Sequence, residues 1–299
     1  MRTEKIDIYR EITNQIIKAI EAGAEKYEMP WHVKGADSVF PANASTHRAY
    51  RGVNILMLWA VATNKAYETS LWATYQQWRE LGAQVRKGEK ATSVVFWKLF
   101  DKEETDEQEA IDGDTRKEQK SVMARAYSVF NAAQVDGYTI PAVPQLPESQ
   151  RIARAEQFFQ NLGAEIREGG LRAYYSPAGD YIQMPVFTAF KKVDYRYSVL
   201  AHEVTHWTGA PARLNRDLAL RFQKEAYAAE ELVAELGSAF TCVELGLEIE
   251  PRRDHAPYIQ SWLQVLQNDK RAIFTAAAKA QQAVDWLFQR ELDIQETAA

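Results

Sequence analysis

Two histidines and a glutamate in the second half of the chain have the spacing of a metal-dependent hydrolase. Residues 201–209 read Ala-His-Glu-Val-Thr-His-Trp-Thr-Gly, so His202 and His206 are four residues apart. Side chains four apart on an α-helix project from the same face, which would present two imidazoles to one ion. Glu203 would lie beside the ion, where its carboxylate can accept a proton from the attacking water and return it to the leaving amine. The pattern predicts a metallopeptidase-type site with Glu203 as general base.

A five-residue pattern with two free positions also arises by chance, and helical histidines and glutamates are often surface residues. The flanking sequence favours the functional interpretation. Residues 195–200 are largely apolar at helical spacing, and Gly209 and Pro211 end the helix. We therefore expect a helix that carries His202 and His206 as metal ligands.

A third ligand must come from elsewhere, because a catalytic zinc commonly takes three protein ligands and one water. An acidic helix that begins a little over twenty residues after His206 has room to return antiparallel to the first. On that helix Glu231 and Glu235 share a face, so one can bind the ion while the other accepts the N–H of a ligating histidine. Glu231 is the predicted third ligand, and Glu230, Glu235 and His255 are the alternatives in that order. Zinc is the expected ion, with a transition metal such as manganese as the alternative.

The composition is that of a globular protein with room for two domains. The chain has 299 residues, of which 46% are hydrophobic and 26% charged. Cys242 is the only cysteine, so no intramolecular disulfide can form and a reducing compartment fits. There is no basic-then-apolar start and no apolar run long enough to cross a membrane. These features predict a cytoplasmic protein without a membrane partner.

The first hundred residues are locally basic, although the whole chain carries a net charge of −5. They hold 14 lysines and arginines against 10 aspartates and glutamates, whereas residues 101–120 are strongly acidic. Aromatic rings stack on bases and cations hold phosphates, a combination that binds single-stranded nucleic acid without reading its sequence. The candidates are Trp31, Arg48, Tyr50, Arg51, Trp72, Tyr75, Trp78, Arg79, Arg86, Lys87 and Lys90. The residues alone leave the alternative open that the tryptophans are core and the cations merely solvated.

Periodicity and turn residues divide the chain into two domains. Helices are predicted over residues 3–21 with Thr3 as N-cap, over 55–62, over 70–79 and over 148–161, and strands over 93–100 and 124–130. Three prolines in residues 141–147 indicate a stiff linker, which sets the boundaries at 1–140 and 148–299. Residues 173–185 read as a hairpin, whose edge strand could hold a substrate backbone beside the metal helix. The fold class expected is α+β: an N-terminal α/β domain with a small antiparallel sheet and a mostly helical second domain with a short sheet.

Several motifs in order resemble one known family. These are Trp31, Tyr-Arg-Gly-Val-Asn at 50–54, Val-Arg-Lys-Gly-Glu-Lys at 85–90, Val-Phe-Asn-Ala-Ala-Gln-Val at 129–135, the segment 202–209, and Arg-Leu-Asn-Arg at 213–216. Together they are similar to the ArdC antirestriction proteins and to the N-terminal region of plasmid TraC primases, over essentially the whole chain.

The resemblance implies an N-terminal domain that binds single-stranded DNA and a zincin-like C-terminal domain. It also implies protection of incoming plasmid DNA from host restriction during conjugation, and it makes Glu231 the natural third ligand. Two function classes follow for the second domain. In the first, it is a peptidase that acts on a host or DNA-bound protein. In the second, it is a metal-stabilised scaffold, and protection comes from DNA binding or from contact with the restriction machinery.

Overall fold

The computed structural model describes residues 7–26, 28–32, 39–100, 121–141, 146–216, 224–249 and 256–298. It has the predicted two-part α+β architecture, with small sheets and a mostly helical second half. The predictions for Thr3, for His255 and for the acidic segment 101–120 fall outside the described residues. No helix among those described is long and apolar enough to cross a membrane.

Among its described residues, the N-terminal half contains three α-helices and a four-stranded sheet. Its elements are α1 (Ile8–Gly23), β1 (Ala42–Asn43), α2 (Val53–Lys65), β2 (Leu71–Thr74), α3 (Tyr75–Glu80), β3 (Gln84–Val85), β4 (Thr92–Phe100), β5 (Ser121–Asn131) and β6 (Val135–Asp136). The strand order is β1-β2-β5-β4, with β1 parallel to β2 and the other neighbours antiparallel, while β3 and β6 form a separate antiparallel pair.

The structure corrects two details of the N-terminal prediction. Leu71–Thr74 is a strand rather than the first turn of a helix, because it pairs with β1 and β5 and buries Trp72 in the sheet. The helix starts only at Tyr75, where Thr74 and Gln77 form a reciprocal capping box. Likewise α1 begins at Ile8, with the carboxylate of Asp7 accepting the backbone N–H of Arg10.

The described part of the C-terminal half consists of five α-helices and a three-stranded sheet. Its elements are α4 (Glu148–Asn161), β7 (Glu165–Glu168), β8 (Tyr174–Ser176), β9 (Tyr181–Met184), α5 (Val193–Thr208), α6 (Lys224–Glu244), α7 (Ala256–Asn268) and α8 (Ala272–Ala298). The strand order is β7-β9-β8, so β8 is an edge strand of the predicted hairpin. The motif His-Glu-x-x-His lies on α5, and the acidic segment lies on α6.

A small residue lets α5 and α6 approach closely. A Cβ atom added at Gly237 of α6 would lie 2.5 Å from the side chain of Thr205 on α5. The Ser238 hydroxyl donates to the Ser198 carbonyl at 2.7 Å, which fixes the relative height of the two antiparallel helices. Both contacts set the register that brings the glutamates of α6 opposite the histidines of α5.

Buried side chains of both halves join one continuous hydrophobic cluster. Ile12 and Ile16 of α1 and Trp31 belong to the same cluster as Phe240 of α6 and Trp262 of α7. The segment 28–32 therefore reaches into the C-terminal half, although the chain does not enter that half until after residue 141. The division into domains at residues 140 and 148 stays a prediction.

Candidate metal centre

Three predicted ligands converge in the interior. Ligand atoms of His202, His206 and Glu231 all lie within 4.8 Å of one another. In the Glu231 carboxylate, Oε2 is 3.5 Å from Nε2 of His202 and Oε1 is 3.4 Å from Nε2 of His206. Two ligand atoms that are each about 2.1 Å from a tetrahedral ion lie about 3.4 Å apart. The donor set thus fits one divalent ion with a coordination position left for water.

Glu231 is the negative charge at the centre of this group. Burial by itself would raise the pKa of its carboxyl group, but hydrogen bonds and charge from His202 and His206 outweigh burial and lower that pKa. The carboxylate is therefore ionised, as a metal ligand must be.

The alternative ligand Glu230 lies behind His206 instead. Its Oε1 is 3.3 Å from Nδ1 of His206 and 2.9 Å from a guanidinium nitrogen of the buried Arg216. Burial raises the pKa of the Glu230 carboxyl group, but His206 and then Arg216 outweigh burial and lower it to about 2. Arg216 also donates to the Thr208 hydroxyl at 2.8 Å and to the Thr205 carbonyl at 2.5 Å, so it caps the C-terminal end of α5.

The other alternative, Glu235, lies behind His202. Its Oε2 is 3.7 Å from Nδ1 of His202, while its Oε1 accepts hydrogen bonds from Nε1 of Trp31 at 3.2 Å and from Nε2 of His32 at 3.1 Å. Each imidazole of the pair thus has a carboxylate on its Nδ1 side. That position is the usual one for an outer-sphere partner of a ligating histidine.

Glu203 faces the edge strand of the hairpin. Its Oε2 accepts the backbone N–H of Tyr175 at 2.8 Å, and only 6% of the residue is exposed. The predicted general base, the residue that follows His202 on α5, is therefore in contact with β8.

An ion pair holds the hairpin against α5. Arg213 donates to both carboxylate oxygens of Asp180 and to the hydroxyl of Tyr175, and its Nε donates to the Trp207 carbonyl at 2.6 Å. Burial and the hydrogen bond to Asp180 raise the pKa of the Tyr175 phenol to about 12, so its hydroxyl stays protonated. Arg213 and Arg216 therefore link β8 and α6 to the C-terminal end of α5.

The structure separates the predicted DNA-binding residues into buried and exposed sets. Trp31 and Trp72 are 0% exposed and Tyr50 is 5% exposed, so in this structure no base can stack on them, and the prediction for these three is corrected. Trp78 is also 0% exposed, and its indole donates to the Phe130 carbonyl. Large aromatic side chains contribute much of the stability of a hydrophobic core when they are buried, which explains why these four residues pack inside the protein.

The remaining candidates are on the surface. Arg51 pairs with Asp285, and Arg86 pairs with Glu89 and Asp136. The other exposed candidates have no carboxylate partner among the described residues; they are Arg48, Tyr75, Arg79, Lys87 and Lys90.

An exposed aromatic face on β4 and β5 was missed by the sequence analysis. Phe96 is 48% exposed and Tyr127 39% exposed, with ring centroids 5.5 Å apart, and the Arg125 guanidinium lies 5.5 Å from the Tyr127 ring. Phe96 is opposite Arg125 in the ladder and Tyr127 is two residues further, so all three share one side of the sheet. Alternation in the strand patterns was the available signal, but it does not tell which side the helices cover.

The comparisons with known proteins first define the class of the second half. The model of a zincin-like metallopeptidase family matches residues 153–279. Such a domain implies a divalent metal ion, in agreement with the donor set on α5 and α6. The model of the N-terminal domain of anti-restriction factor ArdC matches residues 6–130.

Whole-chain relatives then define the family. Two crystal structures of the antirestriction protein ArdC from the R388 plasmid match 96% of this chain: the metal-free form with a TM-score of 0.79 at 40% identity, covering 99% of that chain, and the Mn(II)-bound form with a TM-score of 0.76 at 39% identity, covering 98%. The chain belongs to the ArdC family of antirestriction proteins.

Two further relatives extend the match. The protein y4eC of Sinorhizobium fredii is 52% identical over 289 residues, which is 97% of this chain and 94% of y4eC. DNA primase TraC of Escherichia coli is 36% identical over 298 residues, but this chain spans only 27% of the primase. The similarity to TraC therefore concerns one part of that protein.

Proposed function

We propose that this antirestriction protein protects incoming plasmid DNA during conjugation by binding it as a single strand, and that it carries one divalent ion in a peptidase-type site. Membership of the ArdC family supports the protective role, and the similarity to a primase supports contact with DNA. We further propose the domains 1–140 and 148–299 and a cytoplasmic location, where a thiol such as the buried Cys242 stays reduced. The partners proposed are single-stranded DNA and a host protein substrate or the restriction machinery.

The observation that carries the metal site is the spacing of its three donors. We assign His202, His206 and Glu231 as ligands of zinc, or of manganese as in the Mn(II)-bound ArdC structure. When bound, such an ion lowers the pKa of a water molecule toward neutrality and polarises a carbonyl group. Glu203 is then the proton acceptor from that water and the proton donor to the leaving amine. The edge strand β8 can align an extended peptide beside Glu203 by β-augmentation.

The variant Glu203→Gln tests this assignment. The amide keeps the shape of the side chain and can still be reached by the backbone N–H of Tyr175, but it cannot accept a proton. We expect unchanged metal content together with loss of casein cleavage. Hydrolysis at the wild-type rate in this variant, with contaminating protease excluded, would show that Glu203 is not the base.

One contact favours a second function for the same site. Glu203 is occupied by the backbone N–H of Tyr175, and His202, His206 and Glu231 are each less than a tenth exposed. A site so enclosed is also suited to a structural ion that stabilises α5 and α6, with no proteolysis required.

The two functions separate in cells. Plasmid transfer into a restricting host should fail with Glu203→Gln if peptide cleavage causes protection. It should succeed with Glu203→Gln and fail with His202→Ala if the ion acts as a scaffold. Protection that survives both variants would show that it depends neither on cleavage nor on the ion, and would leave DNA binding or contact with the restriction machinery as its cause.

The DNA-binding proposal rests on the exposed face formed by Phe96, Arg125 and Tyr127. The rings offer stacking surfaces, and Arg125 has no carboxylate partner among the described residues, so its charge is available to a phosphate. The covered part of the same sheet side, including Val94 and Tyr50, fixes the rings in place. We propose that a single strand crosses this face, and that the exposed cations Arg48, Arg79, Lys87 and Lys90 contribute charge.

Oligonucleotide titrations test this part independently of the metal site. Affinity for a single strand should fall steeply with salt and exceed affinity for duplex of the same length. Binding that is insensitive to salt and equal for the two forms would contradict the proposal.

A further inference from the structure

We propose that Trp31 and His32, in the N-terminal half, are positioning residues of the metal centre. They hold Glu235, which in turn aims the imidazole of His202. The inference rests on the proposed metal site and adds a feature to it: the affinity of the zincin-like half for its ion depends on a segment about 200 residues earlier in the chain.

The hydrogen bonds of His32 define the direction of this interaction. Nδ1 of His32 accepts the backbone N–H of Met29 at 3.0 Å. An N–H group can only donate, so Nδ1 is the unprotonated nitrogen and the ring proton is on Nε2. Nε2 therefore donates to Glu235, 3.1 Å away. The turn at 29–32 thus presents a fixed donor rather than an adaptable one.

Two donors converge on one oxygen of Glu235. Trp31 and His32 both donate to Oε1, so the hydrogen bonds of this oxygen come from the N-terminal segment. Oε2 is then directed at Nδ1 of His202, at 3.7 Å. That separation is about 0.5 Å beyond the upper end of the hydrogen-bond range, so the contact between the carboxylate and the ring is electrostatic. A carboxylate in this place keeps the proton of His202 on Nδ1 and leaves Nε2 for the ion.

The burial of these groups makes the arrangement stiff. Glu235 is 3% exposed and Trp31 is 0% exposed, with the indole ring packed 6.1 Å from Trp262 of α7. A buried carboxylate without donors carries a large desolvation cost, so loss of one donor would move or neutralise it. The carboxylate behind His206 is held differently, because Arg216, from the same half, contacts Glu230.

The experiment compares tryptophan and histidine variants in the full-length protein. Trp31→Phe removes one N–H donor and keeps an aromatic ring, and His32→Leu removes the other. The matched control is Trp59→Phe, since Trp59 is equally buried in the same cluster and its indole donates to the Val39 carbonyl. His32→Gln is the rescue variant, because its amide places a donor near the position of Nε2. The probe is Mn(II), titrated by calorimetry and by the rise in melting temperature it causes.

We expect Trp31→Phe and His32→Leu each to weaken Mn(II) binding by about tenfold, at the low end of the effect of outer-sphere partners. Trp59→Phe should lower the melting temperature of the metal-free protein without changing Mn(II) affinity, and His32→Gln should recover most of the loss. Affinity within about twofold of the wild type in both Trp31→Phe and His32→Leu would overturn the inference. So would an equal loss in Trp59→Phe.

The same titration distinguishes this failure from failure of the metal site itself. If Glu231→Gln binds Mn(II) as tightly as the wild type, or if the wild type shows no saturable binding, the proposed ligand set is wrong and this inference falls with it. If Glu231→Gln abolishes binding while Trp31→Phe and His32→Leu do not alter it, only the positioning role is wrong.

Discussion

The metal centre and the N-terminal sheet show opposite relations between sequence and surface. At the metal centre, polar residues four apart on α5 are drawn inward and meet a carboxylate from α6. On the sheet, the tryptophans that suggested a DNA surface are buried, while the exposed rings of Phe96 and Tyr127 were not predicted. Buried polar groups must find partners, which restricts where they lie, whereas an aromatic residue is stable on either side of a sheet.

Trp31 belongs to both regions. Its sequence context suggested stacking on a base, but its ring is in the core and its N–H reaches the outer shell of the metal site. The two regions thus differ in function as well as in burial. Hydrogen bonds between buried groups position the side chains of the metal centre, whereas exposed aromatic area and charge characterise the face on the sheet.

Removal of a metal ligand should have the largest effect. His202→Ala and Glu231→Gln should weaken Mn(II) or zinc binding by more than about 100-fold, since loss of an outer-sphere partner alone costs 10–100-fold. The measurement is metal content after dialysis together with calorimetric titration. Glu230→Gln serves as the contrasting variant, because Glu230 contacts Nδ1 of His206 rather than the ligand group. A smaller loss in His202→Ala than in Glu230→Gln would contradict the ligand assignment.

The buried pair beside the site should dominate stability. Arg216→Met leaves Glu230 buried without its guanidinium and uncaps α5, so the free energy of unfolding should fall by about 3–5 kcal/mol. Arg213→Met is the contrasting variant: its partner Asp180 has a half-exposed side chain that water can solvate once the guanidinium is removed, so the loss should be smaller, about 1–2 kcal/mol. Chemical denaturation of the metal-free proteins measures both. Equal losses would show that burial of the Arg216 pair is not the decisive factor.

Close packing of α5 on α6 should carry stability and metal affinity together. Gly237→Ala forces a methyl group against Thr205 and should cost about 1–3 kcal/mol, with weaker metal binding because Glu231 moves with its helix. Ser238→Ala removes the bond to the Ser198 carbonyl without adding volume and should cost about 1 kcal/mol. Thermal unfolding with and without Mn(II) separates the two. Unchanged metal affinity in Gly237→Ala would show that the ligand register tolerates displacement of the helices.

The aromatic face should contribute to DNA binding through stacking. Phe96→Ala and Tyr127→Ala should each weaken affinity for a single-stranded oligonucleotide by about 1–3 kcal/mol. Phe187→Ala is the matched control, since Phe187 is likewise 48% exposed and lies 5.2 Å from the Arg196 guanidinium in the other half. Fluorescence anisotropy measures the affinities. A loss in the control as large as in Phe96→Ala would remove the argument for this face.

The smallest effect concerns individual cations. Arg125→Gln should make the slope of log affinity for a single strand against log salt concentration less negative by about 0.7, the value for one lost phosphate contact. Arg86→Gln should change it less, because Arg86 already pairs with Glu89 and Asp136. If Arg86→Gln has the larger effect, the strand crosses the surface near β3 rather than the face on β4 and β5.

Much of the fold and the grouping of the candidate ligands could be predicted from the sequence, for identifiable reasons. The spacing of His202 and His206 fixes their geometry once α5 forms, and the acidic segment of α6 restricts the third ligand on that helix to three glutamates. The choice among Glu230, Glu231 and Glu235 depends on the register of the two helices, which Gly237 and Ser238 set through tertiary contacts.

The predictions that were wrong also concern features that depend on tertiary contacts. Leu71–Thr74 was predicted as helix because its apolar residues suit either period, and only pairing with β5 decides for a strand. The contact of Trp31 and His32 with Glu235 joins segments about 200 residues apart, for which no local pattern exists.

The most direct measurement is anomalous diffraction from crystals of the full-length protein loaded with Mn(II) or zinc. We expect a single strong peak about 2.1 Å from Nε2 of His202, Nε2 of His206 and a carboxylate oxygen of Glu231. The ligand assignment would be contradicted by a peak ligated by Glu230 or Glu235 in place of Glu231. It would also be contradicted if a protein that binds the ion in solution showed no peak between α5 and α6.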